Sequence, residues 1–249
     1  MLLTIDVGNT NIAMGLFDGQ KLLRQRKLPT DVTTDPLVFE ETIRLLLENQ
    51  QVQGGILASV VPQVNEKLCS AAEKVTGKSC LVVSYDMKME MPLKVDEPPT
   101  IGADLIAGCV GAMENYPLPV IVADLGTANT LMAVNGRGEF IGGLIAPGLA
   151  MQLQSLGAGT SLLPDLGVEV PKKCIGANTA ECLESGVVYG TAAMLDGMIE
   201  RMNEELGQEA CVVATGGSAA LVASLCRHKI ICDPDLLLKG LSALYEKNT

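Results

Sequence analysis

The chain has 249 residues, 48% of them apolar but only 3% aromatic, with no Trp. A chain of this length buries about 70–75% of its unfolded surface, enough for one large domain or two modest ones on an aliphatic core, without disulfide or metal staples. With 18 basic against 29 acidic side chains the formal net charge is −11, which argues against a nucleic-acid partner, since such proteins concentrate Lys and Arg on one face.

In chain order, the first element is the run Leu2–Asp6, an aliphatic strand that meets its acid at once and forms no secretory h-region. Residues 2–19, LLTIDVGNTNIAMGLFDG, return in kind as residues 120–138, VIVADLGTANTLMAVNGRG. Aligned on the aspartates, Asp6 falls on Asp124, Gly8 on Gly126, Asn11 on Asn129 and Met14 on Met132. Each copy reads as strand, tight loop, strand, hairpin turn (Asp18-Gly19; Asn135-Gly136) and third strand, over 21–28 and 139–145. Between the copies, Leu37–Asn49 keeps an apolar face at helical spacing, 55–60 is a buried strand stopped by Pro62, 64–76 is a helix, 80–84 a strand and 101–113 a helix. After the second copy, 147–156, 179–206, 218–226 and 234–245 read as helices and 210–214 as a strand. The prediction is an α/β chain of two duplicated halves, 1–116 and 117–249, with ligand loops in a central cleft. No apolar run approaches the roughly eighteen residues of a membrane span. The eight cysteines are then reduced thiols in a cytoplasm, mostly buried as small hydrophobes.

The D-x-G loops carry the chemistry. A glycine two residues after an acid, at a strand end, lets the backbone bend and turn its N–H groups to a phosphate. Asn9, Thr10, Asn11, Thr127, Asn129 and Thr130 add neutral donors suited to a polyphosphate. Asp6 and Asp124 are acids able to hold Mg²⁺, directly or through water, or a monovalent cation beside the phosphates. Thr215-Gly216-Gly217-Ser218 follows a strand and opens a helix; its glycines admit close approach of an adenine ring or phosphate, and an ordinary strand-to-helix turn reads the same way. Gly102-Ala103-Asp104 opens an apolar helix, with Asp104 either its N-cap or a carboxylate that takes a proton from an attacking hydroxyl. Ala72–Ser79 imitates a phosphate-binding loop, but Ala72 replaces its first glycine and the order is helix then strand, so Gly77 is read as a helix C-cap. No cysteine pair is spaced C-x-x-C. His228, the one histidine, leaves neither a Cys/His zinc site nor a His-based nucleophile.

Taken together, D-x-G-N-T, G-A-D, D-x-G-T-A and the late A-T-G-G, in this order along the whole chain, resemble the type III pantothenate kinases, of the actin-like and sugar-kinase superfamily of duplicated ribonuclease-H-like halves. Asn178-Thr179 and Glu184-Ser185-Gly186 are similar to another family segment. The resemblance implies a homodimeric cytoplasmic enzyme that phosphorylates the primary hydroxyl of pantothenate with ATP, Mg²⁺ and a monovalent cation, K⁺ or NH₄⁺. It implies that Asp6, Val7, Gly8, Asn9, Thr10, Asn11, Ile12 and Ala13 wrap the ATP phosphates, joined by Thr127. Asp124 would ligate the monovalent cation and Asp104 would be the general base. The acceptor would lie against Gly102, Ala103, Asp104 and Leu105, with Thr179 lent across the dimer. Gly216 and Gly217 stand as nucleotide contacts. Where the family has Arg after the Asp, this chain has Leu105; where it has a substrate-contacting Tyr, Val95; and where it has Asn, Gly108. Those departures leave two other functions open: phosphorylation of a different small hydroxyl compound, and non-catalytic regulation through nucleotide binding.

Overall fold

In the computed structural model, which describes residues 1–158 and 167–249, two five-stranded sheets are built to one plan. The first contains β1 (Leu2–Val7), β2 (Asn11–Asp18), β3 (Lys21–Pro29), β4 (Gly54–Ser59) and β5 (Cys80–Val82), in the order β3-β2-β1-β4-β5. The second contains β6 (Val120–Leu125), β7 (Ala128–Val134), β8 (Phe140–Pro147), β9 (Cys211–Thr215) and β10 (Ile231–Cys232), in the order β10-β9-β6-β7-β8. In both, an antiparallel three-strand meander is extended by parallel strands on the far side of its first strand. The duplication seen in the sequence is therefore a duplication of topology.

Its register is not continuous, however. Val7 pairs with Ile12 across a loop of residues 8–11, whereas Leu125 pairs with Asn129 across residues 126–128. The second loop is one residue shorter. By pairing, Asn129 is the counterpart of Ile12 and Thr130 that of Ala13, so the expected match of Asn11 to Asn129 and Met14 to Met132 is corrected by one position. Side chains alternate along a strand, and the slip decides which face each residue occupies.

The helices are α1 (Pro36–Leu47), α2 (Pro62–Thr76), α3 (Ala103–Asn115), α4 (Leu149–Ala158), α5 (Thr179–Leu206), α6 (Ala219–Ala223) and α7 (Leu236–Asn248). Asp35 caps α1 by accepting the Leu37 N–H at 2.9 Å, and Pro36 starts it. The helix ends earlier than its periodicity suggests because Glu48 and Asn49 take left-handed backbone, at φ 43° and 67°. Gly77, at φ 68°, closes α2 as the C-cap. The expected helix from 147 begins only at Leu149, because Pro147 still belongs to edge strand β8, where its missing N–H costs nothing. The expected helix 218–226 shrinks to α6, and a 3₁₀ turn at Pro98–Thr100 precedes α3.

The chain packs as two compact units, Met1–Asn115 with Asp235–Thr249, and Tyr116–Pro234. In place of the one split expected at 116/117, the units divide at 115/116 and again at 234/235, which returns α7 to the first unit. In that unit Leu3, Ile5, Val7, Ile12, Met14 and Leu16 form a core with Phe39, Ile43 and Leu46 of α1 and Val64 and Leu68 of α2. In the second, Ile121, Ala123, Leu125 and Leu131 pack with Leu149 of α4, Val187, Leu195 and Ile199 of α5, and Val222 of α6. All eight cysteines are free. They are not mostly buried as expected: Cys109 is, whereas Cys174, Cys182 and Cys232 are exposed, the first two at the approach to and start of α5. Among the described residues no helix is long and apolar enough to cross a membrane.

Against the first sheet, α7 and α3 cross almost backbone to backbone. A Cβ on Gly240 would collide with the Ala107 carbonyl and reach the Gly111 nitrogen at 2.9 Å, and one on Gly111 would meet the Leu236 carbonyl. These contacts are to main chain, which cannot swing aside. Gly240→Ala is therefore expected to cost about 1–3 kcal/mol, read as a fall in Tm of roughly 2–10 °C; an unchanged melt would show that the helices can separate freely.

Candidate active site

Asp6 stands near the end of β1, between Ala13 on β2 and Ala58 on β4. Beyond it the Gly8 N–H donates to the Asn11 carbonyl at 3.0 Å, closing a loop whose Asn9, Thr10 and Asn11 are exposed. Thr30 braces it from the end of β3: its hydroxyl donates to the Gly8 carbonyl at 2.7 Å and its N–H to the Thr10 carbonyl at 2.9 Å. Sequence reasoning missed Thr30, which carries no motif signal beyond following Pro29. Val7 and Ile12 are fully buried, so their side chains serve the core and only their backbone is available to a ligand. Ala13 is half-buried.

The second unit repeats the arrangement with one addition. Asp124 lies between Thr130 on β7 and Thr215 on β9. The Gly126 N–H donates to the Ala128 carbonyl at 3.1 Å, and the exposed Thr127 accepts the Gly148 N–H on its carbonyl at 3.1 Å. Gly216 has φ 91° and lies against Asp124 and Leu125: a Cβ there would reach an Asp124 carboxylate oxygen at 2.5 Å and the Leu125 carbonyl at 2.6 Å. Ser218 N–H donates to that same Leu125 carbonyl at 3.0 Å. Asp124 and the exposed Gly216 and Gly217 thus gather at the carboxyl ends of two parallel strands. Gly148 packs on the Gly126 and Thr127 carbonyls, a close approach signalled in the sequence only by the turn-forming pair Pro147-Gly148.

The donor set fits a hard cation. Thr130, opposite Asp124 and on the same face of the sheet, has a buried hydroxyl with no hydrogen-bond partner, whereas the buried amide oxygen of Asn129 lies on the other face. Oxygen donors of this kind suit K⁺ or Mg²⁺. Among the described residues no three His, Cys, Asp or Glu side chains cluster, so phosphate, water or backbone oxygens would complete any such site.

Asp104 is not the cap of α3. The helix begins at Ala103, and Gly102 accepts the Ile106 N–H at 3.2 Å, so Gly102 holds the capping position. Asp104 lies one residue inside, half-buried beside Gly102, with one oxygen accepting the Leu105 N–H at 2.8 Å. Burial raises its pKa above the ordinary carboxylate value, against the lowering effect of that backbone hydrogen bond. A partly desolvated carboxylate with raised proton affinity suits a general base. Leu105 and Ala103 are half-buried beside it, and Gly108 is buried in the helix. Thr179 is exposed in the first turn of α5, behind the Asn178 cap, which accepts the Glu181 N–H at 3.0 Å while Glu181 accepts that of Ala177 at 2.8 Å. His228 lies elsewhere, 3.7 Å from Glu200.

Two matched five-stranded sheets, each with an acid and a glycine turn at the end of its central strand, place the chain in the actin-like and sugar-kinase fold class. Solved structures share that fold: a Campylobacter jejuni protein assigned to the Baf family of transcriptional activators (TM-score 0.63, 19% identity, 99% of this chain and 98% of that one) and a ROK family glucokinase from Streptomyces griseus in complex with glucose and AMPPNP (TM-score 0.56, 15% identity, 98% of each). The sequence pattern of the type III pantothenate kinases matches residues 2–201, and a type III pantothenate kinase of Moorella thermoacetica is 39% identical over 254 aligned positions covering 100% of both chains. The chain belongs to the type III pantothenate kinase family.

A buried carboxylate with a raised pKa costs stability where it is ionised. Protons bind the folded form more tightly, so stability is greatest below the ordinary Asp value of 3.8 and is lost as pH rises through the folded value. Asp104→Asn should therefore raise Tm at pH 7, and the gain should shrink as pH falls through the raised folded value and be gone below 3.8; an equal gain at pH 7 and below 3.8 would mean that the carboxylate is not desolvated.

Proposed function

We propose that the chain transfers the γ-phosphoryl group of ATP to the primary hydroxyl of pantothenate, the first step towards coenzyme A. The observation that carries this is the half-buried Asp104, which stands inside α3 rather than at its cap position and is raised in proton affinity, in a chain that keeps both D-x-G turns of its family. Phosphoryl transfer asks for positioning and charge neutralisation rather than a covalent nucleophile. In this reading the backbone from Asp6 to Ala13, with the Asn9, Thr10 and Asn11 side chains, receives the phosphates, while Thr127, Gly216 and Gly217 add nucleotide contacts. Asp6 holds Mg²⁺, directly or through water, and Asp124 with Thr130 holds K⁺ or NH₄⁺; when bound, these ions neutralise phosphate charge. Asp104 takes the hydroxyl proton as the oxygen attacks phosphorus and ADP departs. Gly102, Ala103 and Leu105 flank the acceptor.

A homodimer is part of the proposal. Along α5, Thr179, Cys182, Gly186, Gly190 and Ala193 are exposed at spacings of one helix face, and nothing lies within 4 Å of where a Cβ on Gly186 or Gly190 would sit. Ile175, just before the helix, is 82% exposed. A second copy of α5 fits such a smooth stripe, and it would bring Thr179 to the partner's acceptor.

One observation favours a second reading: Leu105 and Val95 stand where the family has Arg and Tyr, which suits an uncharged acceptor. The deciding experiment is ADP release with pantothenate and a panel of neutral alcohols under ATP, Mg²⁺ and K⁺. Turnover should be best with pantothenate and fall at least about 100-fold in Asp104→Asn with the ATP KM unchanged. A better neutral acceptor would establish the second reading, and nucleotide binding without any turnover would leave a regulator. For the dimer, Gly190→Arg should give monomers by sedimentation and lose turnover while still binding ATP; a dimer that persists would place the contact elsewhere.

A further inference from the structure

The last turn of α7 ends in two side chains that reach neighbouring segments. Asn248 brackets the backbone of Lys88: its amide oxygen accepts the Lys88 N–H at 3.1 Å, and its amide nitrogen donates to the Lys88 carbonyl at 2.8 Å. The same nitrogen donates to the Leu244 carbonyl at 2.8 Å, which fixes the orientation of the amide. Next to it, the Lys247 ammonium meets a Glu90 carboxylate oxygen at 2.6 Å and a Glu114 carboxylate oxygen at 2.9 Å. Glu114 belongs to α3, the helix that carries Asp104 in its first turn, so one cation joins that helix to the preceding loop.

The loop needs such fastening. Between β5 and α3, its regular structure is limited to the turn at Pro98–Thr100. It curls round an apolar groove of about 570 Å³, with Met89 and Met91 buried on either side of an exposed Glu90. Glu90 has φ 56°, a left-handed backbone unfavourable for any residue but glycine and sustained only when neighbours over-determine it. The buried methionines, the Lys247 ion pair and the Asn248 bracket do so, at consecutive positions.

We infer that Lys247 and Asn248 are positioning residues for acceptor recognition: the end of α7 sets the course of residues 84–101 and thereby the acceptor affinity. The inference rests on the proposed function, because Val95 on this segment and Gly102–Leu105 directly after it are the positions assigned there to the acceptor. None of the clamp contacts involves a nucleotide-binding residue of that proposal, so its loss acts on one substrate alone.

The test is steady-state kinetics on the full chain with each substrate varied, beside thermal melts and amide hydrogen exchange of residues 84–101. Asn248→Ala and Lys247→Met should each raise the pantothenate KM roughly tenfold while kcat and the ATP KM stay within about twofold, with Lys247→Arg restoring the native value. Glu90→Gly removes the ion pair while supplying the residue that tolerates this backbone. It should therefore raise the pantothenate KM without lowering Tm, a pattern that a purely structural role would not give. Exchange in 84–101 should accelerate in Asn248→Ala. An unchanged pantothenate KM, or both KM values rising together, overturns the inference. Native protein that turns over no pantothenate overturns the functional reading instead; exchange then decides the clamp, and unaltered exchange refutes it.

Discussion

An ionisable side chain on the central strand of a sheet has a backbone fixed from both sides, and this governs both units. Asp6 is held between Ala13 and Ala58, and Asp124 between Thr130 and Thr215. Neither acid can move away from the loop it precedes without breaking two ladders. Both are half-buried, so the environment around them must supply hydrogen bonds or positive charge. Small or hydroxylic neighbours follow, since a large aliphatic partner would leave the carboxylate no room for a ligand. Gly216 follows too: a side chain there would occupy the space of the Asp124 carboxylate, so this glycine answers the acid as much as the turn.

The duplicated halves were legible because an acid, a glycine and a hairpin turn recur between aliphatic runs, and such patterns survive without knowledge of packing. The loop length was not. Two D-x-G motifs read as equals, yet one loop is a residue shorter, and a slip of one reverses every face beyond it. Ile12 accordingly sits in an aliphatic core, while its counterpart Asn129 occupies the same place with a polar group, giving the Pro147 carbonyl a hydrogen bond at 3.2 Å. The motif could not show that Val7 and Ile12 are core side chains within the run that the proposal gives to phosphate. Nor could it say whether Asp104 is the cap of α3, because a cap and an acid in the first turn both stand at a helix start; the Ile106 N–H bonded to the Gly102 carbonyl gives the capping position to Gly102.

The place of α7 was beyond sequence reading for a different reason. Its apolar face says that it packs, but not on which sheet, and the residues that decide the matter are glycines. Gly111 and Gly240 have no side chain to contribute to periodicity; their role is the absence of one, seen only when two backbones are brought together. Contacts of this kind join positions far apart in the chain, so no local window contains both halves of the signal.

Under the proposed function, the same helix bears on the acceptor side, where Leu105 and Val95 stand. An anionic acceptor needs a positive anchor, and Leu105 does not provide one. The start of α3 is a weak replacement, since Asp104 already engages the Leu105 N–H and places negative charge where a carboxylate would have to come. Lys88 and Lys94 are then the cationic side chains on residues 84–101, and both are exposed. A flexible ammonium on an irregular loop binds well only if the loop returns to one course each time, because ordering it on binding would consume the affinity gained. If the acceptor is pantothenate, as proposed, and a loop lysine anchors it, the requirement for order falls on whatever holds the loop, and that is the last turn of α7.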